Sequence, residues 1–248
     1  MTSFVGHAFQ YAGYGAEVCL LVVLLASGTW KKLPYFFLYV VGFVGVDAIL
    51  RPVFLYHYGW TSFQFRDCYW ISDVALTVGA FLLISALFRR AFASNQENWI
   101  FMRRTLAIVF GFIVFISCFA LSEHFDHIFT RFIVEFQQNL YFACLVLNTL
   151  LYVTLQKTEG VDERLDLLVC GLGIEFAGPA ANLALMYLTP GGRFAGLLLT
   201  IIMPVCNIAM LMTWLYAVRQ PAKIRKFAGQ KIGQPVSVFA ESNARGAH

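Results

Sequence analysis

Seven stretches of this chain are each long and apolar enough to cross a bilayer, and that repetition leaves few folds open. A spanning helix needs roughly 20 mainly apolar residues. Positions 9–28, 33–57, 67–88, 105–122, 132–155, 166–188 and 195–217 meet that requirement, the fourth being short but almost free of polar groups. Backbone surrounded by hydrocarbon must satisfy its own hydrogen bonds, which a helix does. The expected fold is therefore all-α: a polytopic membrane protein built as a seven-transmembrane-helix bundle. Composition agrees, because 59% apolar and only 13% charged residues leave too few charges to coat a water-soluble sphere. The first stretch is expected to remain in the mature chain, since no positive segment precedes it and no small-residue cleavage site comes before Lys31 and Lys32.

The basic residues orient the bundle. Lys31, Lys32, Arg89, Arg90, Arg103, Arg104, Lys157, Arg164, Arg219, Lys223, Arg225, Lys226, Lys231 and Arg245 fall on one side of the alternating spans, whereas only Arg66, Arg131 and Arg193 fall on the other. Lys and Arg accumulate on the cytoplasmic side, so the N-terminus is expected outside and the C-terminus inside, in a bacterial inner membrane. The net charge of +4 then reflects orientation rather than nucleic-acid binding. Residues 1–220 form the expected transmembrane domain. Residues 221–248 form a short basic tail that suits contact with anionic headgroups and is too short for an output domain.

Ionisable groups inside spans are costly and mark functional candidates. Glu17, Asp47, Arg51, Asp73, Glu135 and Glu175 are such groups, and Asn182 and Asn207 join them as polar residues on helical stripes. At roughly 1.5 Å of rise per residue, Asp73 and Glu135 fall near the outer mouth, Arg51, Glu17 and Asp47 deeper, and Glu175 near mid-membrane. The inner half carries almost no such group, which predicts an outward-facing polar cavity above an apolar plug. Residues three, four and seven apart share a helix face. That spacing groups Gly171, Glu175, Gly178 and Asn182, then Gln10, Gly13, Tyr14 and Glu17, then Glu135 with Gln138 and Asn139, and lets Asp47 pair with Arg51. The other carboxylates have no matching in-span cation. Interhelical hydrogen bonding between neutral acids is the structural alternative to a binding site.

His124, Asp126 and His127 lie within an EHFDH segment of an outer loop. Nitrogen and oxygen donors of this kind suit zinc or a similar divalent metal, although the spacing matches no established motif and a solvated loop explains it as well. No cofactor is otherwise implied. His7 and His57 also fall on the outer side, which argues against haem held between buried imidazoles. Tyr56, Tyr58, Trp60, Phe63, Phe65, Tyr69 and Trp70 cluster outside as an interfacial belt or a lid. The six cysteines show no paired spacing and read as inert thiols buried in the bundle.

The seventh span has no lysine for a retinal Schiff base, and no H-E-x-x-H, G-x-S-x-G or Walker loop is present. Nothing supports an enzyme. The stretch YFFLYVVGFVGVDAI in the second span and RDCYWISD entering the third resemble a group of uncharacterised multi-spanning, seven-helix bacterial membrane proteins common in Acidobacteria. That resemblance covers about the first half of the chain and implies no activity. The topology is also similar to seven-helix sensor modules that precede histidine kinases, so a sensing role would need a separate partner. The leading expectation is a non-enzymatic, receptor-like module of the lipid bilayer that binds a small-molecule ligand or a partner from outside. The alternatives are an accessory subunit of a larger, energy-transducing complex with protein partners in the membrane, and a cation- or proton-coupled carrier.

Overall fold

A computed structural model describes residues 2–93, 96–119, 128–158, 162–188 and 193–221, with side chains over 9–93, 97–119, 132–133, 135–158, 162–181 and 201–221. The described chain is helical, with α1 (Thr2–Ala26), α2 (Thr29–Lys32), α3 (Pro34–Val44), a π-helical segment (Gly45–Leu50), α4 (Arg51–Tyr58), α5 (Phe63–Ala91), α6 (Gln96–Phe119), α7 (Ile128–Lys157), α8 (Glu163–Leu188) and α9 (Arg193–Arg219). Among the described residues, six helical stretches are long and apolar enough to cross a membrane: α1, the continuous α3–π–α4 unit, α5, α6, α7 and α9. The protein is thus membrane-embedded. The seventh expected span, α8, is outside that set. It runs for 26 residues with Glu163, Asp166 and Glu175 along its length and packs against α7 and α9.

The helices extend past the predicted apolar stretches. The clearest case is α6, which begins at Gln96 and carries Arg103 and Arg104 within its length where a span starting at 105 was expected. Long basic side chains permit this, since their stems lie along apolar surface while the charge reaches the headgroups.

Packing closes the helices into a ring. α1 contacts α3 and α9, α9 contacts α8, α8 contacts α7, α7 contacts α5, and α5 contacts α3, while α6 sits outside this ring against α5 and α7. One end of the bundle is filled by apolar side chains. Leu20, Leu24, Phe36, Ile84, Phe88, Leu151, Leu168 and Trp214 are all fully or almost fully buried there. The α8–α9 seam is set by Gly171: a Cβ at this position would lie 2.4 Å from Trp214 Nε1, and that indole donates to the Leu168 carbonyl at 3.0 Å. The indole also meets Phe36 edge-on at 5.2 Å. The small-residue stripe read from the sequence therefore serves a close helix approach, as glycines do at membrane helix interfaces.

The same end gathers the basic loops. Arg90 donates to the Lys32 carbonyl at 2.5 Å, which joins the α2–α3 corner to the end of α5. Asp162 precedes α8, and its Oδ1 accepts the Arg164 backbone N–H at 3.1 Å in the manner of an N-cap. Its Oδ2 also takes the Arg164 guanidinium at 2.5 Å. Partial burial works against the charge on Asp162, but the Arg164 hydrogen bonds overcome that and hold its carboxyl below the usual carboxylate range, with Arg90 adding to the effect. The cysteines are all free, as expected of inert thiols, but their burial differs from expectation: only Cys144 is buried, while Cys19, Cys118 and Cys170 face outward. A thiol is apolar enough for a lipid-facing position, so burial in the bundle is not required.

Candidate functional site

The α3–α4 unit departs from α geometry where the polar residues begin. Pro52 stands at the start of α4 and has no N–H to continue the ladder. The preceding segment, Gly45–Leu50, widens into a π-helix, and the Arg51 N–H bonds the Val46 carbonyl. Such π segments are frequent at functional sites. This one carries Asp47 and delivers Arg51 at its end.

Arg51 reaches three groups. Nη1 donates to Asp47 Oδ1 at 3.1 Å, Nη2 to Asp73 Oδ1 on α5 at 2.8 Å, and Nε to Ser72 Oγ at 3.4 Å. Its guanidinium lies 4.3 Å from the Tyr69 ring centroid, within cation–π range. Gln137 on α7 donates from Nε2 to Asp73 Oδ2, so Asp73 joins α4, α5 and α7. The pairing of Asp73 corrects the reading that left it without a cation: the guanidinium fork serves both aspartates at once.

These groups border a cavity of about 580 Å³. Asp47, Arg51, Asp73, Glu175 and Asn207 line it, together with Gln137, Gln138 and a largely aromatic wall that includes Tyr14, Tyr39, Tyr69, Trp70, Tyr141 and Phe176. Every ring helix contributes a lining residue, and among the described residues α6 contributes none. Trp60 and Phe65 line it from the α4–α5 corner, where their rings meet at 5.5 Å, while Tyr56, Tyr58 and Phe63 are exposed. The cavity occupies the half of the bundle opposite the basic loops, above the apolar packing.

The remaining candidates are placed differently. Glu17 is fully buried, does not line the cavity, and has Asp47 as its foremost charged neighbour, then Arg51 and Glu175. No donor group reaches either of its carboxylate oxygens, and its carboxyl lies against that of Asp47. Glu135 is half-buried on α7 and is not among the lining residues, although Gln138 beside it is. Asn139 turns instead to α6, donating to Ser117 Oγ at 3.3 Å. The side chain of Asn182 lies outside the described residues, as do His124, Asp126 and His127 of the expected outer-loop metal set. Glu175 accepts from the Tyr39 hydroxyl on Oε1 at 3.5 Å, and its Oε2 is buried with no partner.

Tyr39 and Gln137 were not singled out in the sequence, and Tyr69 was read only as part of the outer aromatic cluster. A tyrosine in an aromatic-rich span carries no distinguishing mark, and Gln137, Gln138 and Asn139 are consecutive polar residues that cover three helix faces. Among the described residues, no three His, Cys, Asp or Glu groups come together as a metal would need. No family model, no curated protein and no solved structure matches this chain.

Proposed function

We propose that the chain is a seven-span, non-enzymatic binding module of the bacterial inner membrane, with the N-terminus outside, the C-terminus in the cytoplasm and a small-molecule site in its outer half. The observation that carries this reading is the cavity of about 580 Å³ lined by Asp47, Arg51, Asp73, Glu175 and Asn207, a volume within the usual range for small-ligand pockets. Charged groups inside a bundle are retained at a cost, and here they face a shared interior space. The basic loops gather at the opposite end, which favours a cavity that opens outward.

An accessory-subunit role would place polar contacts on the outer surface, whereas Glu17 is fully buried and three other carboxylates line the interior. Purification from the native membrane in mild detergent, followed by mass spectrometry of everything retained, separates the two. Recovery of the chain with one small molecule, or alone, is the outcome expected of a binding module. Stoichiometric co-purification with other membrane proteins would instead make it a subunit.

A further inference from the structure

Three residues that line the cavity, Glu175, Gln137 and Asn207, each carry a buried side-chain oxygen without a partner, Oε2, Oε1 and Oδ1 respectively. Gln137 is only 7% exposed. Three of the prominent donors are already engaged: Arg51 on Asp47, Asp73 and Ser72, the Gln137 amide on Asp73, and the Tyr39 hydroxyl on Glu175. Arg51 is also the one cationic side chain on the wall among the described residues, against three carboxylates.

An anionic ligand entering this space would meet Asp47, Asp73 and Glu175, with the Arg51 guanidinium already shared. A neutral apolar ligand would leave the acceptor oxygens bare, at the cost of burying unpaired polar atoms. A single metal ion lacks a converging ligand set among the described residues. A protonated amine supplies both missing elements, a positive charge and several N–H donors. The surrounding rings suit its organic body, because aromatic faces attract cations, and Tyr69 already takes the Arg51 guanidinium in this way.

We infer that, resting on the binding reading above, the cavity takes an organic amine cation whose N–H groups donate to Glu175 Oε2 and the other free acceptor oxygens while its body lies against the aromatic wall.

The test uses the full chain in lipid nanodiscs, with thermal unfolding followed against concentration of 2-phenylethylammonium, n-butylammonium and spermidine. The comparison compounds are 3-phenylpropionate, 2-phenylethanol and N,N,N-trimethyl-2-phenylethylammonium. At least one primary amine should raise the melting temperature in a saturable way, and Glu175→Gln should weaken that binding by about tenfold or more. Glu163→Gln, far from the cavity on the same helix, should bind as the parent does. Asn207→Leu removes a free acceptor without touching the carboxylates, and its weaker binding keeps the test open if Glu175→Gln does not fold. Preferential binding of the carboxylate or the alcohol, or equal binding of the trimethyl compound that has no N–H, overturns the amine inference and leaves the binding cavity standing. Stabilisation by none of the compounds overturns the amine inference, and joined to recovery of the native protein with stoichiometric protein partners it overturns the binding reading as well.

Discussion

Arg51 on α4 and Asp73 on α5 meet at 2.8 Å, and the same guanidinium holds Asp47 at 3.1 Å. One cation thus bridges two aspartates from two elements on the cavity wall and offsets half of their charge. Removing one member of a buried ion pair costs roughly 3–5 kcal/mol because the partner charge is left uncompensated. Arg51 and both aspartates are only half-buried, so Arg51→Met should lower thermal stability in nanodiscs by less than that, about 1–3 kcal/mol. The triple variant Arg51→Met, Asp47→Asn, Asp73→Asn should recover most of the loss, since it leaves no charge behind. If the single variant melts with the parent, the fork contributes nothing to the fold.

What could be read from the sequence follows the range of the interaction. The pairing of Asp47 with Arg51 was legible because four residues along one helix fix their separation. The pairing of Arg51 with Asp73 was not, because it depends on how α4 and α5 rotate against each other. Glu17 shows the same limit: Gln10, Gly13 and Tyr14 on its stripe line the cavity, yet one turn further on, the helix enters the packed interior. Six of the seven expected spans were legible because bilayer thickness sets their apolar length. The π segment was not, although Gly45 opens it and Pro52 follows two residues after its end.

The seam between α8 and α9 gives a prediction independent of the cavity. Gly171→Ala would set a methyl 2.4 Å from Trp214 Nε1, against a rigid ring also held by Phe36. Overpacking of this kind costs typically about 1–3 kcal/mol, which for a chain of this size lowers the melting temperature by roughly 2–4 °C per kcal/mol. Adding Trp214→Leu should erase the extra cost of the alanine. Additive losses in the double variant would show that the two positions do not meet.

Acid should release the Asp162 cap. Its carboxyl is held below the ordinary value of about 3.9 by Arg164, against the opposing effect of partial burial. A lowered folded-state value means that the contribution is fully present above the unfolded value and disappears as pH falls through the folded one. The stability gap between parent and Asp162→Asn should thus be constant from neutral pH to about pH 5 and close in stronger acid. The gap is expected to be small, since the pair is partly solvated. A gap that widens on acidification would contradict the assignment.

The direction of α9 in the bilayer shows whether α8 crosses. Lys157 ends α7 and Arg219 ends α9, so if α8 spans the bilayer both should face the cytoplasm, with Arg193 at the start of α9 outside. If α8 does not cross, Arg193 stays on the side of Lys157. Single cysteines in a cysteine-free background at Tyr56, Lys157, Arg193 and Gln220, labelled with a membrane-impermeant maleimide in cells with a permeabilised outer membrane, read this directly. Tyr56→Cys and Arg193→Cys should react from outside, and Lys157→Cys and Gln220→Cys only after lysis. The orientation rests on basic loops that share one end of the bundle, where Arg90 reaches Lys32 and adds to the field at Asp162. Reaction of Arg193→Cys only after lysis would remove the seventh crossing and place that end of α9 on the cytoplasmic side.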